Sequence, residues 1–279
     1  MTRAQRHIVG RTSVYLLVVA MLVVFLFPFY WMAISGMKAS DELFTAPPTL
    51  IPEHWSLDFY TRVVNATGFG RLLVNSLIVA LATTALAITL GALGAYSITR
   101  LRYPGRRIIS RMVLFIYMFP PILLIIPLFF IFRTLGLLDT YLGLILANTT
   151  FALPFCLWLL IAFFRTIPEE IESAAMVDGA GRLQVLWRIV LPLAAPGMAA
   201  AAVFAFISAW NEYLFPLILI NSEELKTLPL GVARYVSSEG ARWGEAMAAA
   251  TLLSIPVFVF AAFVQRHLVS GLTAGAVKG

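Results

Sequence analysis

Of 279 residues, 61% are hydrophobic and only 12% are charged, against roughly 25% charged in soluble domains. That balance places the chain in a bilayer and excludes an ordinary soluble domain; at ~20 residues per crossing, the length makes a single bundle of several spans. The net charge of +6 does not point to nucleic acid, because no exposed basic and aromatic surface accompanies it.

Six apolar segments follow in order, at about 13–35, 71–98, 109–132, 142–164, 193–220 and 246–268. Each is long enough to cross roughly 30 Å of hydrocarbon as a helix, which predicts an all-α polytopic membrane protein with six transmembrane helices. The expected organisation is a cytoplasmic N-terminus at 1–12, a six-span transmembrane bundle at 13–268 and a cytoplasmic tail at 269–279. The basic start and the Ala33-Ile34-Ser35 sequence suggest a signal peptide, but the apolar run from Ser13 to Ile34 exceeds the ~7–15 residues of a signal core. It reads as an uncleaved first span.

Loop 36–70, rich in turn formers at Pro47, Pro48 and Pro52, is expected outside the membrane. The second span carries Ala87, Gly91 and Ala95 at four-residue spacing, a stripe that lets another helix approach. The third and fourth spans are joined only by Arg133 to Tyr141, so they should run antiparallel. Cys156 is the only cysteine, in an apolar run, and reads as a packed core thiol. Prolines interrupt the first span (Pro28), third (Pro120, Pro121, Pro127), fourth (Pro154), fifth (Pro216) and sixth (Pro256). Each removes a backbone donor, so the bends should face neighbouring helices or a cavity; bent spans that enclose a path account for the set.

Charge distribution sets the topology. Arg3, Arg6 and Arg11 precede the first span; Arg100, Arg102, Arg106, Arg107 and Arg111 lie between the second and third; Arg165, Arg182 and Arg188 flank segment 165–192. The opposite loops hold Asp41, Glu42, Glu53, Asp58, Asp139, Glu223, Glu224 and Glu239. By the positive-inside rule both termini face the cytoplasm.

No energy source is visible in the chain. The lysines, Lys38, Lys226 and Lys278, follow Met37, Leu225 and Val277, so a Walker A phosphate loop is absent. His7, His54 and His267 are far apart and have no metal-ligand spacing. The expectation is a non-enzyme with no cofactor and no metal. Only Glu212 sits well inside an apolar segment, in Ser208-Ala209-Trp210-Asn211-Glu212-Tyr213. It can line a polar path with Trp210, Asn211 and Tyr213, a set suited to a polyhydroxylated solute; it can equally satisfy a helix break ahead of Pro216 or reach the outer interface. One acid is thin equipment for a gradient-driven transporter, the competing class.

The polar stretch 166–192, TIPEEIESAAMVDGAGRLQVLWRIVLP, carries its own helix signals. Thr166 and Glu169 predict a capping box with Pro168 in the first turn. Glu169, Glu170 and Glu172 sit near the positive helix end, and Asp178-Gly179 supplies the stop. A second short helix should run from about Arg182 to Val190 and end before Pro192. Such a helix–Gly–helix elbow has the form of a surface held by a partner.

On Ala174, Asp178, Gly179, Ala180, Ile189, Leu191 and Pro192 the elbow resembles the cytoplasmic EAA loop of permease subunits from binding-protein-dependent ABC importers. Pro28-Phe29-Tyr30-Trp31-Met32 and the tail Val269-Ser270-Gly271-Leu272-Thr273-Ala274-Gly275-Ala276-Val277-Lys278-Gly279 resemble carbohydrate importers, of the type similar to the second permease of maltose/trehalose systems. One position departs: the glutamate expected five residues before Asp178 is Ser173, with Glu172 just upstream. The resemblance implies an inner-membrane permease that pairs with a homologous second permease, two cytoplasmic ATP-binding subunits and an extracytoplasmic solute-binding protein. It implies ATPase coupling through Glu169, Glu170, Glu172, Ser173, Ala174, Asp178, Gly179 and Ala180. It also implies a tail that reaches the ATPases near Gly275 and Lys278; read alone, the glycine-rich tail would be a frayed end. The implied solute is a disaccharide or short oligosaccharide, with a sugar phosphate or polyol as alternatives.

Overall fold

The computed structural model describes residues 3–66, 68–237 and 240–276, so Lys278 lies outside the described residues. The described chain is helical apart from a two-residue antiparallel pair, Val236–Ser237 with Gly240–Ala241. Four helices contain stretches long and apolar enough to cross a membrane: Arg11–Ser35, Phe69–Arg100, Tyr141–Arg165 and Trp243–Gln265. They belong to α1 (Arg3–Ser35), α3 (Phe69–Arg100), α6 (Tyr141–Arg165) and α13 (Trp243–Ala276). Two bent helix pairs bring the number to six if each counts as one span.

The two pairs are Arg106–Tyr117 with Pro121–Thr134 and Arg182–Leu193 with Ala195–Trp210, bends within the expected spans. The third segment is α4 (Arg106–Tyr117) and α5 (Pro121–Thr134), bent by 102°. Pro121 starts α5, and Pro120 ahead of it is held extended at ψ 125°, because a residue before proline is pushed out of the helical region. Pro28, Pro127, Pro154 and Pro256 are absorbed within their helices. The fifth segment, expected over 193–220 with an interruption at Pro216, is α10 (Ala195–Trp210) followed by the short α11 (Leu214–Leu219). A helix running through Pro216 would put its ring against the Glu212 carbonyl and leave that carbonyl without a donor, so the chain breaks just there. The sixth helix runs past the expected boundary at 268/269 and takes in Gly275.

The chain divides into two compact units. One comprises Met1–Thr67 and Val232–Ser254. In it α1 is almost bare, with only 6% of its apolar window buried, so it presents a long apolar surface outward. Loop 36–57 is nevertheless tightly built. Glu42 accepts from the Thr49 hydroxyl at 2.6 Å and from the Glu53 and His54 amides at 3.0 and 3.4 Å. The buried Lys38 donates to the Thr49 carbonyl at 2.6 Å and lies 4.8 Å from the Trp31 ring centre. Helix α2 (Asp58–Asn65) follows, and its Arg62 meets Glu245 at 3.4 Å.

The second unit comprises Gly68–Gly231 and Ile255–Gly279. Its core is α3 against α6 and α10. The small-residue stripe works as expected: Ala87 and Ala95 are fully buried, and a Cβ on Gly91 would lie 3.4–3.6 Å from Leu160, Leu157 and Cys156. Close backbone approach of this kind drives helix association where lipid removes the hydrophobic advantage. Cys156 is buried with its thiol donating to the Ala201 carbonyl at 3.6 Å, the packed thiol that was expected. At the other end, Asp139 accepts from the Asn221 and Ser222 amides and the Ser222 hydroxyl. Asn75 donates to the Glu224 and Lys226 carbonyls and accepts from the Tyr141 hydroxyl. These bonds pin segment 221–226 to the ends of α3 and α6.

Candidate functional site

The elbow begins where α6 ends. Thr166 caps that end, and its hydroxyl donates back to the Phe163 carbonyl at 2.7 Å. Thr166 keeps helical backbone angles as that C-cap, so Pro168 takes the extended N-cap position of α7 (Glu169–Val177), without a side-chain bond, and the expected capping box does not form. The acidic first turn of Glu169, Glu170 and Glu172 still faces the positive helix end.

The stop of α7 is as read from the sequence. The Gly179 amide bonds to the Met176 carbonyl at 3.1 Å and the Ala180 amide to the Ala175 carbonyl at 3.0 Å, the paired bonds of a Schellman end. Gly179 takes φ +89°, a left-handed conformation that L side chains rarely adopt. The chain then restarts as α8 (Arg182–Val185), with the Gln184 side chain accepting from the Gly181 amide at 3.0 Å. It continues through a π-helical turn, Leu186–Val190, into α9 (Leu191–Leu193). The second helical run thus passes Pro192 rather than ending before it. The wide turn upstream fits a proline that lacks an N–H, and the axis bends by 79° into α10.

What fixes the elbow to the bundle was not visible in the sequence. Arg100, the last residue of α3, points its guanidinium into the junction of α6 and α7. Its Nε donates to Glu172 at 2.6 Å, and Nη2 donates to the Phe164 and Ile167 carbonyls at 2.9 Å each. Phe164 lies in the last turn of α6, whose carbonyl ends favour a positive charge. Glu172 is buried. Among the expected coupling residues it therefore has a different place: its carboxylate braces the elbow from within and is not offered to a partner.

The remaining coupling residues lie on or near the surface. Glu169, Glu170, Ser173, Ala174, Asp178 and Gly179 are exposed, and Ala180 is half-buried against the core. The Ser173 hydroxyl donates to the Glu169 carbonyl at 3.0 Å. Three apolar side chains absent from the expected set share this exposure: Val177 at 87%, Leu183 at 68% and Trp187 at 59%. Helical spacing could have found them, since Leu183 and Trp187 sit four apart, as one face of a helix requires.

The residues expected near a solute path separate. Trp210 is fully buried and stacks on Phe206, which itself stacks on Phe260 at 4.0 Å between ring centres. It is a packing residue, a correction to its place in the path set. Asn211 and Tyr213 are exposed and Glu212 is half-buried at the break between α10 and α11. Glu212 accepts from the Leu214 and Phe215 amides at 2.8 and 3.2 Å, so it caps α11. Of the alternatives open in the sequence, the helix-break role is the one its contacts display.

The chain is similar to known transport permeases over nearly its whole length. An inner membrane ABC transporter permease protein of Escherichia coli is 40% identical over 98% of this chain and 99% of its own. A trehalose transport system permease protein of Mycobacterium tuberculosis is 41% identical over 91% of this chain and 93% of its own. A trehalose/maltose transport system permease protein of Thermococcus litoralis is 37% identical over 94% of each. In fold, the chain superposes on a chain of a bacterial ABC transporter involved in import of the acidic polysaccharide alginate, with a TM-score of 0.78, 24% identity, and 95% and 98% of the two chains covered. Residues 87–274, which hold the elbow, the helix break and most of the core, match the family described as binding-protein-dependent transport system inner membrane component. The chain belongs to that family, the permease components of ABC importers.

Proposed function

We propose that this non-catalytic permease imports a disaccharide or short oligosaccharide, paired with a homologous permease, two cytoplasmic ATPases and an external solute-binding protein. The relatives at 41% and 37% identity, both named for trehalose or trehalose/maltose transport, support the solute class. The elbow supports the coupling role: a capped, acid-led helix exposes Ala174, Val177 and Asp178, while Arg100 clamps it to the ends of α3 and α6. A docked ATPase that moves α7 would move those helix ends with it. Arginine clustering supports cytoplasmic placement of both termini and of 165–192. Asn211, Glu212 and Tyr213, grouped at the one break in the fifth segment, are the residues of this chain assigned to the solute path.

The carrying observation is the Arg100-braced elbow. Purification of the permease with its ATPases, together with sugar uptake by the reconstituted system, tests the reading. ATP-dependent uptake of trehalose or maltose, lost together with the ATPases when the exposed face is altered by Ala174→Asp, is the expected result. Uptake driven by a proton gradient without any ATPase would overturn it. A cysteine placed at Arg106 in a Cys156→Ala background should resist labelling from outside intact cells.

A further inference from the structure

A cavity of about 810 Å³ lies between the start of α4, the end of α6 and the first turn of α7. Its wall carries Arg106, Arg107, Arg111 and Arg165, with Ser110 and Trp158 among them and the carboxylates of Glu169 and Glu170 from α7. Arg106 donates to the Leu101 carbonyl at 2.8 Å. Among the described residues, none of these four arginines has a carboxylate within 4.0 Å. Arg100 also lines the cavity but is paired with Glu172; the other four guanidinium groups against two carboxylates leave the cavity positive, and its low-dielectric walls focus that field. The first turn of α4 contains no acid, so its free amides add to the same sign.

Guanidinium forks match the oxygens of phosphate and carboxylate groups in paired hydrogen bonds. The surroundings favour a phosphate that carries apolar chains. Helix α4 packs along α6, with its start beside Arg165 and its last residue, Tyr117, against Phe155 at 5.7 Å between ring centres. Beyond its basic start it exposes Ile109, Met112, Phe115 and Ile116. These apolar side chains turn away from the bundle beside the basic start of the helix, so acyl chains can lie on them while a headgroup meets the arginines. Trp158 is also exposed, two turns before the α6 end, at a depth where indoles favour the headgroup level. Basic pockets between membrane helices are built to take lipid headgroups.

We propose that this cavity binds the phosphodiester of an anionic glycerophospholipid, with the acyl chains lying along Met112, Phe115 and Trp158. The site requires only that the chain sits in a bilayer, and it is independent of the solute and of which ATPase docks.

The full chain, purified with its transport partners, is placed in nanodiscs of phosphatidylcholine containing a minor fraction of phosphatidylglycerol. Native mass spectrometry then measures the lipid retained. Wild type should retain phosphatidylglycerol enriched at least about fivefold over the disc composition. Arg107→Gln/Arg111→Gln/Arg165→Gln should bring retention back to the disc ratio, while Arg71→Gln, outside the cavity, should not. If the triple glutamine variant does not fold, Arg107→Lys/Arg111→Lys/Arg165→Lys keeps the charge and should keep most of the enrichment. Absence of enrichment in wild type, or undiminished enrichment in the glutamine variant, would overturn the proposal. Loss of the lipid on adding inorganic phosphate would overturn the lipid as the source and assign the cavity to a soluble phosphate. A glutamine variant that sheds the ATPases with its lipid content unchanged would make the cavity a protein interface, which also overturns it.

Discussion

Arg100 and Glu172, 72 positions apart in sequence, meet at 2.6 Å in a site from which both side chains are nearly withdrawn from solvent. The same guanidinium holds the Phe164 and Ile167 carbonyls. One side chain therefore ties the end of α3 to the junction of α6 with the elbow, the surface proposed above to meet an ATPase. A buried pair of this kind is no proof of high stability, because desolvation opposes the attraction, but removing one partner strands the other charge.

Glu172→Ala should accordingly destabilise the permease by about 3 kcal/mol, since it leaves Arg100 buried and short of a partner. Glu169→Ala and Glu170→Ala, both at exposed positions, should stay within about 0.5 kcal/mol of wild type. Thermal unfolding of the detergent-solubilised protein compares the three. Equal melting of Glu172→Ala and wild type would remove the brace.

Gly179 tests backbone conformation alone, because a Cβ there would meet nothing within 4 Å. Its φ of +89° still strains any L side chain, by roughly 1–2 kcal/mol, and most for a β-branched one. Gly179→Val should insert normally yet lose most co-purifying ATPase and uptake, whereas Gly179→Asn should keep the larger part. Ser173→Glu replaces an exposed side chain and should be tolerated. Full ATP-driven uptake by Gly179→Val would show that the left-handed stop is not needed for coupling.

Glu212 carries two roles that substitution can separate. Glu212→Gln retains an oxygen for the Leu214 and Phe215 amides and should melt near wild type. Glu212→Leu strips the cap and should cost about 1 kcal/mol, with faster exchange of those two amides. Asn211 makes no such cap, and its side chain is exposed. Asn211→Ala should therefore raise the KM for the sugar severalfold with assembly intact. An unchanged KM in both Asn211→Ala and Glu212→Gln would take this break out of the solute path.

Loop 36–57 should be acid-sensitive. The Thr49 hydroxyl, aided by the Glu53 and His54 amides and the charge of Lys38, holds the Glu42 carboxyl below its ordinary value against the opposing effect of burial. A lowered folded pKa contributes stability that is present above the ordinary carboxylate range, about pH 4.3, and is lost as pH falls through the depressed value. Amide exchange at Glu53 and His54 should stay slow near neutrality and accelerate only in that acid window. In Glu42→Gln the acid step should vanish. Exchange in wild type that is indifferent to acid would contradict the assignment.

The features legible in the sequence are those set by near neighbours. The Asp178-Gly179 stop needs only the turn before it, and the Ala87, Gly91, Ala95 stripe needs only helical spacing. Apolar length alone gave the positions of the spans, because the bilayer requires every backbone group to be satisfied within the segment. The elbow was readable as a helix pair for the same local reason. Even the break near Glu212 lay within reach, since Pro216 acts on the carbonyl four residues before it.

The tertiary structure decided what depends on neighbours distant in the chain. Thr166 carries a capping signature, but it is taken up as the C-cap of the preceding helix, in helical backbone geometry that an N-cap residue does not have. Glu172 reads as one of three surface acids, and only the arrival of Arg100 from the end of α3 turns it inward. Trp210 beside Asn211 and Glu212 reads as part of a polar cluster, yet its ring is taken up by Phe206 on the same helix and closed off from solvent. Each signal is a local preference of about 1 kcal/mol, and packing between helices offers alternatives of equal or greater size. The sequence determined which segments are helical and where they stop; which face of each segment is left for a partner, a lipid or a solute was decided by the helices that pack against it.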